Sequence, residues 1–189
     1  AALTALHDRD TLVTGGPAVI SEGLGFSVDL KPDDGTLVGW RAKPHTGVID
    51  LDKINHYDAA DFWDPLHTSR AQLILDPDAF YILVSREAGH IPKDFAAEMA
   101  PYLAMVGEFR VHYAGFFDPG FGHAEAGGTG SRGVLEVRCH EAPFVLEHGQ
   151  IVGRLVYERM EERPAQLYGA GIASNYQGQK LKLSKHFKV

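Results

Sequence analysis

The chain has 189 residues, 44% of them hydrophobic and 23% charged, with a formal net charge of −7. Such a chain can bury a full core as one unit, and its acidic balance excludes bulk attraction to nucleic acid or to an anionic membrane, so any anion site must be local. No apolar run approaches the roughly 18 residues of a membrane span, the N-terminus lacks the basic and apolar regions of a signal peptide, and the single cysteine, Cys139, excludes an internal disulfide or a cysteine-rich zinc site. A cytoplasmic protein fits these features.

In chain order, Leu3, Leu6, Leu12 and Val13 lie among charges, which predicts a weak helix or connector over residues 1–14 that the Gly15-Gly16-Pro17 cluster ends. Short strand-like runs follow at 26–30, 37–41, 47–51, 71–75 and 80–84, each bounded by Gly, Pro or Asp. Residues 94–105 read as helix, bent or ended by Pro101. Strands resume at 108–114, 134–139, 144–147 and 151–157. Many short strands with one or two short helices predict a mainly β fold, a sandwich, barrel or jelly roll over residues 15–167. His123-Ala-Glu-Ala-Gly-Gly-Thr-Gly-Ser-Arg132 is too rich in glycine to pack and reads as a mobile loop. The tail 168–189, rich in Gly, Asn, Gln and Lys, is of the kind that stays loose or orders over a neighbour or ligand.

Two local patterns suggest chemistry. His123-Ala124-Glu125 matches the H-x-E half of a zinc deaminase signature, but that chemistry also needs two thiolates and the chain has one cysteine, so zinc is excluded as the activator of water. Gly127 to Arg132 has the glycines of a phosphate cradle but not the G-K-[ST] ending of a P-loop, and it fits a plain hairpin loop better.

The informative stretch is Ala114-Gly-Phe-Phe-Asp-Pro-Gly-Phe121. It resembles the A-G-[FI]-[IV]-D-P-G-[WF] signature of dCTP deaminases and is similar to the substrate hairpin of dUTPases. Gly133-Val-Leu-Glu-Val137 resembles that family's strand carrying the catalytic glutamate, and His148 to Leu155 resembles the strand after it. Leu167-Tyr168-Gly169 and Ser174 to Gln179 resemble the C-terminal Y-G and K-Y-Q-G-Q elements, and Gly23 to Leu30 resembles an early S-x-D-L strand. The resemblance implies a dUTPase-like distorted β-barrel or jelly roll and hydrolytic deamination of dCTP to dUTP and ammonia without a catalytic metal. It implies Glu136 as proton shuttle and the Ala114 carbonyl as the group orienting the water or amine. It places Gly115, Phe116 and Asp118 at the nucleoside, and Tyr168, Tyr176, Gln179 and Lys180 at a triphosphate that carries Mg2+, with no metal bound by the protein itself. Each residue also has a plainer reading, Glu136 as an outward strand residue, Asp118 as a turn former and Lys180 as part of a solvated terminus.

The chain departs from the pattern in three places. Where single-domain members carry S-S-x-G-R before the hairpin, this chain has Pro101 and Met105 in place of the serine and arginine; Asn175 replaces a lysine, and extra residues follow Phe121. The chain resembles the C-terminal half of double-length deaminases. That implies an active site shared with an N-terminal paired domain or another subunit of a trimer or pseudo-trimer, and an isolated chain that is weak or inactive. A dUTPase or bifunctional enzyme, and a non-catalytic half that completes an assembly, remain the alternative readings.

Overall fold

A computed structural model of the protein describes residues 2–31, 37–101, 109–112, 116–170 and 177–188. Helix α1 (Ala2–Arg9) leads into β1 (Val13–Thr14), β2 (Leu24–Ser27) and β3 (Gly39–Ala42). The short helix α2 (Ala59–Phe62) runs directly into β4 (Trp63–Leu66), followed by β5 (Gln72–Leu75), β6 (Phe80–Gly89), β7 (Phe95–Pro101) and β8 (Phe109–His112). The last strands are β9 (Ser131–Cys139), β10 (Phe144–Glu147) and β11 (Ile151–Arg159). One sheet has the order β4-β3-β6-β9-β8 with β1 also on β6; β2-β11-β7 and β10-β5 form two smaller sheets, and all the strand pairs are antiparallel. The mainly β class with two short helices is as expected.

The alternation of β9 explains its central place. Ser131, Gly133, Leu135, Val137 and Cys139 are buried, while Arg132, Val134, Glu136 and Arg138 take the opposite face, as the two-residue period of a strand requires. The buried face joins Val28, Leu30, Tyr81, Leu83 and Leu146 in one core cluster. A second cluster gathers Leu12, Leu24, Phe26, Ile91, Phe117, Phe121 and Leu155, in which Phe117 meets Phe26 and Phe121 edge-on at centroid separations of 6.3 and 5.2 Å. Leu6 of α1 packs into this second cluster, so the start of the chain is built onto the same core as the Asp118 turn.

Three expectations need correction. Residues 95–101 form β7, not helix: β11 supplies a partner for every residue from Phe95 to Pro101, and Phe95, Ala97 and Met99 pack inward while Glu98 is exposed. That tertiary pairing overrides the helix preference of the alanines, and Pro101 falls at the strand's last residue, where its missing N–H costs least. Residues 47–51 form no strand. Val48 is 93% exposed and Leu51 71%, and Asp50 turns the chain by accepting from Lys53 N through its carbonyl and from Asp52 N through its carboxylate. The glycine-rich segment does pack: Ala124–Ala126 forms a 3-10 turn, and Ala126 and Ser131 are buried. The α2-β4 unit has no counterpart among the expected elements, because Pro65 argues against a strand; β4 lies at the sheet edge, which tolerates it.

Candidate functional site

Glu136 lies in the middle of β9, with Ile82 of β6 and His112 of β8 as its cross-strand partners. It is partly buried, and among the described residues its carboxylate has no hydrogen-bond or ion-pair partner. Its row continues from Ile82 to Trp40 of β3, so apolar groups flank it on that side. One pleat along the same face, the Arg138 guanidinium stands 4.6 Å over the Phe80 ring.

The Asp118-Pro119-Gly120-Phe121 turn forms at the other end of β9. Phe121 N donates to Asp118 O at 3.0 Å, and Gly120 has φ 99°, so proline and glycine occupy the two central positions that such a turn favours. Phe117 bonds in both directions with Ala97 of β7, which fixes the entry to the turn and leaves Phe116 73% exposed beside it. Asp118 is exposed. Tyr168 caps the turn, its N–H donating to Pro119 O at 2.9 Å and its ring lying 5.8 Å from that of Phe121.

The tail closes the same corner. Gln177 accepts from Gly122 N at 3.0 Å, Gly178 N donates to Ser131 Oγ at 2.6 Å, and Gln179 pairs with Arg132. Gln179 is buried and gives its amide nitrogen to Arg132 O, while its Oε1 is buried without a partner among the described residues. Lys180 is exposed. The structure thus gathers Asp118, Tyr168 and Gln179 around the start of β9; Glu136 lies four residues past Arg132 on the same face, roughly 13 Å along the strand. Ala114, Gly115 and Tyr176 lie outside the described residues.

Beneath this corner sits a polar network that sequence reading left unassigned. The Arg132 guanidinium pairs with Asp29 and donates to Ser85 O, and Asp29 also accepts from Lys31 N at 3.1 Å. His148 Nδ1 accepts from Leu30 N at 3.2 Å and lies 3.5 Å from the Asp29 carboxylate. Next to it the buried Glu87 accepts from Ser27 N at 2.7 Å and Ser27 Oγ at 2.6 Å. Ser27 and Asp29 are the two polar positions of the S-x-D-L run, so the signal was present in the sequence, without its partners.

His123 and Glu125 do not form a metal pair. His123 caps the 3-10 turn, accepting from Glu125 N, and Lys93 holds the Glu125 carboxylate at 2.6 Å, which lowers that carboxyl below its ordinary range. The amides of Gly127, Gly128 and Gly130 donate to Ala124 O, His123 O and Gly122 O, so they hold the hairpin loop together rather than facing a phosphate. Among the described residues no three His, Cys, Asp or Glu side chains converge on a point where they could ligate a metal, and no helix is long and apolar enough to cross a membrane.

Residues 1–187 match the family model described as the C-terminal domain of 2'-deoxycytidine 5'-triphosphate deaminase. A solved structure titled 2'-deoxycytidine 5'-triphosphate deaminase from Agrobacterium tumefaciens is 60% identical in sequence and superposes with a TM-score of 0.78, covering 86% of this chain and 49% of that one. The chain therefore spans about half the length of that relative. No curated protein matches it. The antiparallel β architecture, the Asp-Pro-Gly turn on the second core cluster and the family match over nearly the whole chain agree: the protein belongs to the family of dCTP deaminase C-terminal domains.

Proposed function

We propose that this domain takes part in the hydrolytic deamination of dCTP to dUTP and ammonia, with Glu136 as the proton shuttle. The observation that carries the reading is a partly buried carboxylate at the centre of β9 that has no partner among the described residues, on the strand where the family resemblance places the catalytic glutamate. The reaction needs water to add to C4, a proton on N3, and a protonated amine to leave as C4–N4 breaks and the carbonyl forms. One carboxylate can serve all three, taking a proton from the attacking water, delivering it to N3, and passing the second to the departing nitrogen. The Ala114 carbonyl orients the water or amine, and Gly115, Phe116 and Asp118 border the nucleoside. Tyr168, Tyr176, Gln179 and Lys180 hold the triphosphate.

Magnesium fits only as an ion carried by the nucleotide, since no carboxylate cage exists among the described residues. When bound it would neutralise phosphate charge. The catalytic water is left to the carboxylate, without zinc.

Pro101 and Met105 stand where a serine and an arginine would help position water and substrate, so the site is completed by another domain or subunit. The same departure favours one second reading, a half that binds nucleotide or completes an assembly without doing chemistry. Ammonia release from dCTP with Mg2+, by this chain alone and mixed with a domain carrying S-S-x-G-R, separates the two. Release only in the mixture supports the shared site; pyrophosphate from dUTP without ammonia from dCTP would replace deaminase by dUTPase.

A further inference from the structure

The tail is fastened at two places, and only the first belongs to the motif that marks the family. Past Gln179 the chain leaves the start of β9, and residues 185–188 lie against the α2-β4 unit, on the far edge of the sheet. β9 and β4 are three strands apart in the sheet order, roughly 14 Å. There Phe187 is 3% exposed, and its ring meets those of Phe62, Trp63 and Tyr57 at centroid separations of 5.5, 6.0 and 6.4 Å. The backbone joins in: Asn55 N donates to Lys185 O, His56 N to His186 O, and Lys188 N to Tyr57 O at 2.9, 2.9 and 2.8 Å. Lys188 Nζ reaches both oxygens of Asp58 at 3.0 Å. Trp63 in turn lies 6.0 Å from Phe80, the ring under Arg138, so this second fastening sits on the sheet face that carries Glu136.

We propose that Phe187 is a positioning residue for nucleotide binding: its aromatic clasp holds residues 185–188 so that the segment with Lys180 is presented at the phosphates rather than sampled from many conformations. The inference rests on the nucleotide reading above, in which Gln179 and Lys180 meet the triphosphate. The clasp touches neither substrate nor reacting atoms. It acts by raising the fraction of molecules whose tail is already in place, because apparent affinity falls in proportion as that fraction falls. Without the clasp, the segment that follows Gln179 would sample more conformations.

The test compares the unmodified protein with Phe187→Ala and Phe187→Leu, in the assembly that releases ammonia from dCTP. Amide exchange is followed at residues 181–188 and in β6 and β9, alongside KM and kcat for dCTP with Mg2+. The expected result for Phe187→Ala is faster exchange confined to the tail and a roughly tenfold higher KM at nearly unchanged kcat, with Phe187→Leu recovering part of the affinity. A loosened tail with unchanged KM would overturn the positioning role and leave the deaminase reading standing. Unchanged exchange at 181–188 would show that Phe187 anchors nothing, and failure of the unmodified protein to bind dCTP would remove both readings together.

Discussion

Arg132 and Gln179 exchange two hydrogen bonds, Arg132 N donating to Gln179 O at 3.1 Å and Gln179 Nε2 donating to Arg132 O at 3.0 Å. Their reciprocity fixes the register of the tail against β9. Because the Arg132 side chain is pinned from below by Asp29 and Ser85 O, the tail is tied through one residue to the S-x-D-L strand on another sheet.

Breaking that tie has a predictable cost. Arg132→Met removes the guanidinium from the largely buried Asp29 carboxylate, which keeps Lys31 N and His148 nearby, and should lower unfolding stability by about 2 kcal/mol, as loss of a charged hydrogen bond does. The double variant with Asp29→Asn should recover part of the loss. Urea unfolding of the two single variants and the double variant gives the coupling; strictly additive losses would mean the pair is no unit.

Two glycines in the left-handed region should respond differently to alanine. Gly122 (φ 65°) donates to Gln177, and a Cβ there would overlap Gly89 O and lie 2.7 Å from Ser131 N. Gly127 (φ 76°) has nothing within 4 Å of that position. Gly127→Ala should therefore cost only the backbone term, about 1 to 2 kcal/mol. Gly122→Ala should exceed about 4 kcal/mol or prevent folding, since the obstacle is main chain that cannot step aside. Thermal melts of both variants decide it, and similar melting temperatures would refute the close approach at Gly122.

Stability should fall in mild acid because of His90. Burial, and secondarily the neighbouring His123, hold the His90 pKa below its ordinary value; a hydrogen bond with the Gly122 backbone works against them more weakly. Its Nε2 lies 3.1 Å from Thr14 Oγ1, and Tyr157 Oη donates to its carbonyl. A base with a depressed folded pKa takes up its proton more readily when unfolded, so the folded state loses stability as pH falls from about 6.5, the unfolded value, toward the folded pKa, and gains nothing further as pH rises above about 6.5. The denaturation midpoint measured between pH 8 and 5.5 should drop, and His90→Asn should flatten that slope.

Much of this was legible in the sequence where the pattern is local. The alternation of Leu135 and Val137 against Val134 and Glu136 marks β9, and Asp118-Pro119-Gly120 announces its turn. What was not legible depends on partners distant in sequence. Alanines at 96, 97 and 100 prefer helix until β11 pairs with them, and Gly127 to Gly130 look unpackable until Gly122 and Gln177 close on them. Asp29, Arg132 and His148 come from three separate segments that only the fold brings together, and Phe187 reads as a stray aromatic until Tyr57, Phe62 and Trp63 surround it.

The most direct test of the central claim is ammonia release from dCTP with Mg2+ by Glu136→Gln, in the assembly that is active when unmodified, with melting temperature and dCTP affinity measured alongside. Loss of the proton shuttle should reduce the rate by roughly 10²- to 10⁴-fold while leaving fold and affinity nearly unchanged. Undiminished ammonia release by the variant would contradict the account and leave this domain a binding or structural role.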